Sequence, residues 1–199
     1  MEGFSYFPAT VYRDERFDLV DSSSRVLTKY LNKLPGEQRE LPIVQTEHLG
    51  NDPEIQDLVN YLLVSSVDIL RGQGYTVDKY DFYFSGMWGQ EIKKGNATNV
   101  HAHKNSQICG WFFLDVPENG AYPVYYDTRM NKGMIELDFV QGDEITNATS
   151  SINFNNVKAG TVMFGNSWMQ HQLLSGTSEL PTRCIHFIVS HKDRQCNIC

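Results

Sequence analysis

The chain has 199 residues, 41% hydrophobic, 12% aromatic and 21% charged, the composition of a globular domain and not of a disordered or fibrous chain. A formal net charge of −7 argues against phosphate-backbone binding as the main task, so no nucleic-acid partner is expected. The opening Met1-Glu2-Gly3-Phe4-Ser5-Tyr6-Phe7-Pro8 lacks a basic stretch followed by an apolar run, and nothing approaches the roughly 18 consecutive apolar residues of a membrane helix. The expectation is a cytoplasmic, reducing setting with no membrane contact, in which the cysteines are thiols.

Residues 6–11 read as a short opening strand. Residues 17–34 carry Leu19, Val20, Val26, Leu27, Tyr30 and Leu31 at helical spacing, and Pro35-Gly36 stops them. Asp52-Pro53-Glu54 is a helix start, with Asp52 as the cap and proline in the first turn. The helix it opens bears Ile55, Leu58, Val59, Leu62, Leu63, Val67 and Leu70 as an apolar stripe and runs to Gly72 or Gly74. From Tyr75 the pattern changes to short aromatic and β-branched runs punctuated by Gly, Asn, Asp and Pro. Strands are predicted near 81–92, 98–103, 108–116, 122–127, 134–140, 151–154, 161–165, 170–174 and 182–190. Residues 35–52 and 128–160 read as the long loops. Two helices followed by this series predict an α+β fold: a jelly-roll or cupin-like barrel with the helices packed on one sheet. One domain is expected, with residues 1–75 as N-terminal strand and helices, 76–191 as the β core and 192–199 as a tail.

The chemistry concentrates in Val100-His101-Ala102-His103. Alternate side chains of an extended segment leave one face, so His101 and His103 can address one object together. Imidazole is the commonest side-chain donor to transition metals, which makes that object a metal ion. His171, on a predicted strand far along the chain, is the third candidate ligand. Three protein donors leave coordination positions open, as catalytic sites require. Arg183 lies in a strand that is otherwise apolar, with no acidic residue within it to pair. A hairpin closing over residues 175–181 would set Arg183 opposite His171 to Leu173, where its guanidinium could grip a ligand carboxylate.

Met87-Trp88-Gly89-Gln90, His101-Ala102-His103-Lys104-Asn105-Ser106, Gly110-Trp111-Phe112-Phe113-Leu114, Tyr126-Asp127-Thr128-Arg129, Gly160-Thr161-Val162-Met163-Phe164, Ser167-Trp168, His171 and Arg183 follow in that order. As an ordered set over about residues 85–190, they resemble the 2-oxoglutarate/Fe(II) oxygenase superfamily. Within it they are similar to a prolyl-hydroxylase-like family common in marine bacteria and their phages. The resemblance implies a double-stranded β-helix, Fe(II) on His101 and His171, and 2-oxoglutarate held by Arg183. It implies O2 as co-substrate, ascorbate as activator, and hydroxylation of a protein, peptide or small molecule. Where the superfamily usually places Asp or Glu two residues after the first histidine, this chain has His103, and Asp127 is the reserve carboxylate ligand. Ile185 replaces the serine that many members carry two residues after the arginine. Tyr83, Trp88 and Asn99 are expected beside the bound co-substrate, with Asn105, Trp111 and Tyr125 as further pocket candidates.

Two rival readings stand beside this one. A non-catalytic jelly-roll module, such as a virion component, would keep vestigial histidines and explain the missing carboxylate ligand. A cupin-like metalloenzyme would use three histidines without any keto acid. The tail offers Cys196-Asn197-Ile198-Cys199, half of a zinc site for which Cys184 or His186 could supply another ligand, although plain thiols are the expectation. Oligomeric state, virion assembly and a phage origin stay open at this point.

Overall fold

The computed structural model describes residues 9–129 and 149–194. The first strand, β1 (Val11–Glu15), is followed by a 3-10 turn at Phe17–Leu19 and helix α1 (Val20–Lys33). A single helical turn, α2 (Gly36–Arg39), precedes strand β2 (Ile43–His48), where the sequence reading has only a loop. A 3-10 turn at Pro53–Ile55 then leads into α3 (Gln56–Gly72). Asp52 caps that turn, its Oδ1 accepting from the Glu54 backbone N–H at 3.0 Å. The strands that follow are β3 (Tyr80–Ile92), β4 (Ile108–Asp115), β5 (Tyr122–Tyr126), β6 (Ser151–Asn153), β7 (Thr161–Asn166), β8 (His171–Leu174) and β9 (Thr182–Asp193). The strand expected at residues 134–140 lies outside the described residues.

The strands form two antiparallel sheets, a six-stranded one in the order β1-β7-β4-β9-β3-β2 and a three-stranded one in the order β6-β5-β8. This is the α+β jelly-roll arrangement expected from the strand series, with helices on one face of the larger sheet. Alternation along β4 and β9 divides the core in two. Ile108, Phe112 and Leu114 with Ile185, Phe187 and Val189 turn toward the helices and pack with Val26, Leu27, Leu58 and Leu62. Trp111, Phe113 and Cys184 turn the other way, into the space between the sheets, and meet Tyr125 and Leu173 of the smaller sheet. Because both faces are covered, Ile108-Cys109-Gly110-Trp111-Phe112-Phe113-Leu114 is buried at every position and shows no polar alternation.

The expected hairpin over residues 175–181 does not form. β8 pairs with β5 in the smaller sheet, whereas β9 pairs with β3 and β4 in the larger one. The turn therefore carries the chain between sheets, and no register links Arg183 to His171. Residues 98–103, expected as a strand, contribute one isolated bridge, His101 to His171.

Candidate metal centre

The segment bearing the histidine pair hangs on main-chain hydrogen bonds. His101 N–H donates to the His171 carbonyl at 3.0 Å, and His171 N–H returns the bond at 2.9 Å. Thr98 N–H bonds Leu173 at 3.0 Å and His103 N–H bonds Ser167 at 2.8 Å. These bonds bring together groups about seventy positions apart in sequence without using a side chain. One ring nitrogen each from His101, His103 and His171 lies within 4.8 Å of the other two.

Ring orientation is fixed from behind. His101 Nδ1 lies 2.7 Å from the Asn99 carbonyl, and His171 Nδ1 lies 2.7 Å from the Met169 carbonyl. A carbonyl only accepts, so each Nδ1 carries the proton and each Nε2 keeps its lone pair. This is the second-sphere arrangement that selects a ligating tautomer. Burial disfavours charge on these rings. It lowers His171 to about 3 and, together with the neighbouring His101, lowers His103 to about 4. His103 and His171 are therefore neutral, ligand-ready imidazoles well below neutral pH. The thiol of Cys109 lies 3.9 Å from His171 Nε2, and burial pushes it up to about 12, so it stays a thiol.

Beside the histidines is a cavity of ≈ 150 Å³ lined by Gln45, Trp88, Gln90, Thr98, Asn99 and Trp111, with His101 and His186. Trp88 and Asn99, both expected near a bound co-substrate, are part of this wall. Trp111 stands with its ring 5.3 Å from both His171 and His186. Tyr125 is buried with its ring 5.9 Å from His171.

Several expected residues lie elsewhere. Tyr83 is 44% exposed and pairs with Ser190, four positions along β9 from His186 and outside the cavity lining. Asp127 forms an ion pair with Arg129 at 2.6 Å and is not within the histidine group. Arg183 requires the largest correction. Along β9 it shares its face with Ile185 and Phe187, which pack toward the helices, while Thr182, Cys184 and His186 turn to the interior between the sheets. Its Nε and Nη2 both meet Glu91 Oε2 at 2.8 Å. The carboxylate missing from its own strand comes from the adjacent one, β3, in direct register. The guanidinium thus lies on the opposite side of the sheet from the imidazoles and already has its anion. His186, considered in the sequence only as a partner for the tail cysteines, turns toward His103 instead, with the two Nε2 atoms 3.3 Å apart. Cys196 and Cys199 lie outside the described residues.

The chemistry of the donor set fits a divalent first-row metal: borderline nitrogen donors, closely spaced, held in one tautomer and partly shielded from water. Among the described residues the adjoining cavity has neutral hydrogen-bonding groups and aromatic walls, with no Lys or Arg in its lining.

A sequence model of the family described as "Putative 2OG-Fe(II) oxygenase" matches residues 86–187. Among solved structures, one similar fold is an oxidoreductase of the 2OG-Fe(II) oxygenase family from Burkholderia pseudomallei, with a TM-score of 0.59 and 12% identity over 90% of this chain and 84% of that one. A Pseudomonas putida prolyl-4-hydroxylase aligns with a TM-score of 0.59 and 11% identity over 90% of this chain and 92% of its own. HygX from Streptomyces hygroscopicus, solved with nickel and 2-oxoglutarate bound, aligns with a TM-score of 0.59 and 11% identity over 92% of this chain and 83% of that one. No curated protein matches the chain.

Proposed function

The chain belongs to the 2OG-Fe(II) oxygenase family, and on that premise we propose that it is an Fe(II)- and 2-oxoglutarate-dependent dioxygenase that hydroxylates a protein, peptide or small molecule. The single observation that carries the site assignment is the convergence of His101, His103 and His171, whose ring nitrogens fall within 4.8 Å of one another. These three would hold the iron. When bound, the metal and keto acid together supply oxidative decarboxylation of 2-oxoglutarate to succinate and CO2, with O2 as oxidant and a substrate C–H bond as the target.

The work of the chain's own residues is positional. The carbonyls of Asn99 and Met169 hold the His101 and His171 rings at fixed angles. Trp111 from the larger sheet and Tyr125 from the smaller one, both buried, pack beside the His171 imidazole and shield it from solvent. Gln90 takes the Cys184 thiol on its Oε1, which leaves its amide nitrogen as a donor among the cavity-lining groups. With Gln45, Thr98 and Asn99 it would receive the polar end of the co-substrate by neutral hydrogen bonds. Arg183 is given no part in this reading. The whole chain is read as one oxygenase-like domain, with residues 76–191 as its β-helix core.

The test is incubation with Fe(II), ascorbate and isotopically labelled 2-oxoglutarate. Metal-dependent succinate is expected from the wild-type protein, even uncoupled from substrate, and none from His171→Ala that retains the wild-type circular dichroism. An equal succinate yield from that variant would remove the metal centre from these residues.

A further inference from the structure

Trp168 precedes His171 by three positions, and nothing so far gives it a role. It is 49% exposed and lines a second cavity, of ≈ 240 Å³, together with Tyr75, which is 59% exposed. Leu70 and Val77, also in its wall, belong to the core beneath the helices, and Phe82 packs against that core. His191 follows Phe187 and Val189 at alternate positions of β9, so it shares their helix-facing side. The cavity therefore lies across the larger sheet from the imidazoles and is separate from the one beside them.

Its lining dictates what it can take. Tyr75, Tyr80, Phe82, Trp168 and His191 contribute rings, with His191 4.7 Å from Tyr80 and 6.3 Å from Phe82 between centroids. Flat walls of this kind favour a flat guest, held by stacked or edge-on contacts. Among the described residues no Asp, Glu, Lys or Arg lines it, so a charged guest would lose water without gaining a partner. The volume exceeds the roughly 150 Å³ in which an apolar cavity holds benzene, leaving room for a second ring or a polar substituent.

Polarity comes from Ser106 and Gln107, both part of the lining. Ser106 Oγ and Gln107 Oε1 are buried and make no hydrogen bond. Such atoms are few in folded proteins, and here two adjoin one cavity. The Gln107 main chain is pinned: its N–H donates to Val189 at 2.9 Å, and its carbonyl accepts from Ser167 N–H at 2.9 Å. The terminal amide torsion stays soft, so Oε1 can turn onto a donor presented from the cavity. A carbonyl oxygen only accepts, which requires the guest to bring an N–H or O–H.

We propose that this cavity binds an uncharged aromatic ring bearing an N–H or O–H group, with the ring held among Tyr75, Tyr80 and Trp168 and the hydrogen donated to Gln107 Oε1. The site is independent of the metal centre and goes beyond the oxygenase reading.

Indole is the probe, titrated into full-length protein carrying nitrogen-15 tryptophan. The chain has three tryptophans, and they divide between the two cavities: Trp168 in this one, Trp88 and Trp111 beside the histidines. We expect the Trp168 indole signal to move, with a Kd of about 1 mM or tighter, while the other two stay in place. N-methylindole keeps the ring without the donor and should bind about 5-fold more weakly; Gln107→Leu should erase that preference. Trp168→Ala, at an exposed position, should weaken indole at least about 10-fold by calorimetry. N-acetyltryptophan amide presents the same ring on a peptide backbone: tighter binding than indole assigns the site to a polypeptide side chain, weaker binding to a free molecule. A Trp168 signal unmoved by indole, equal affinity for the two indoles in wild type, a preference that survives Gln107→Leu, or unchanged affinity in Trp168→Ala overturns the proposal. So does movement of Trp88 and Trp111 ahead of Trp168, which would place the guest beside the histidines. If Gln107→Leu does not fold, the wild-type comparison of the two indoles decides alone.

Discussion

Replacing Arg183 by alanine separates two accounts of the site more sharply than any other single change. If the guanidinium held the co-substrate, its loss would raise the KM for 2-oxoglutarate strongly and leave the fold alone. The structure supports the opposite outcome. Arg183 meets Glu91 at 2.8 Å, with the arginine side chain 37% exposed and the glutamate 13% exposed. Truncating one member of a fully buried pair costs about 3–5 kcal/mol, whereas exposed pairs contribute about 0–1 kcal/mol. With the arginine more than one-third open to screening water, the expected cost is about 2 kcal/mol. Most of it comes from stranding the carboxylate of Glu91. For a chain of this length that corresponds to a fall in Tm of about 4–8 °C. The Glu91→Gln, Arg183→Ala double variant removes the stranded charge and should recover about half of the loss, an interaction that a double-mutant cycle measures directly. Succinate formation over a range of 2-oxoglutarate concentrations completes the assay, with KM within about twofold of wild type. A KM raised tenfold or more with Tm unchanged would refute the reasoning and return Arg183 to the co-substrate.

Three further outcomes follow from the same coordinates. Burial holds His171 at about 3 against an ordinary 6.5, so below pH 6.5 the unfolded chain takes up a proton that the folded chain refuses. Stability of the metal-free protein therefore falls as pH drops from 6.5 toward 3. At about 1.4 kcal/mol per unit, the loss traceable to this residue is about 2 kcal/mol by pH 5. Urea midpoints of wild type and His171→Asn at pH 7 and pH 5 should differ by that amount in slope, and equal slopes would count against it. Gly110→Ala should abolish folded protein: a Cβ there would press into the Met163 carbonyl oxygen and stand 2.8 Å from Phe187 Cζ. Gly36→Ala, with nothing within 4 Å, should express and melt as wild type does. Asp52→Ala should cost about 1–2 kcal/mol through loss of the Glu54 cap bond, while Asp52→Asn restores most of it because the Lys29 partner is half exposed. Thermal melts showing the two variants equal would place the energy in the ion pair instead.

The long helix and most strands were legible because their signals are local. Asp52-Pro53 opens α3 as read, and the apolar stripe from Ile55 to Leu70 faces the sheet. β2 escaped notice since Ile43-Val44-Gln45-Thr46-Glu47-His48 is short and mixed, and only pairing with β3 makes it a strand. The histidines were legible as a group because alternation and residue chemistry narrow the choices. What failed was the facing of β9. Thr182-Arg183-Cys184-Ile185-His186-Phe187 is buried on both faces, so hydrophobicity alone cannot say whether the odd or the even positions look inward. The strand's neighbours decide it, and they put Arg183 and His186 on opposite sides. A charge that lacked a partner in sequence found one across the ladder in Glu91, a relation that no linear pattern records.

If His101, His103 and His171 hold the metal as proposed, the reciprocal backbone bonds between His101 and His171 decide how the ion arrives. Two segments tied through their main chains need no ion to bring them together, so loading would be capture by a ready-made nest and not a metal-driven collapse. Thermal unfolding of the bare chain should then be a single cooperative event, with uptake adding a concentration-dependent rise. The same tether also means that exchanging one donor for another, for instance His103→Asp, alters which ion is preferred without disturbing how the strands are laced together.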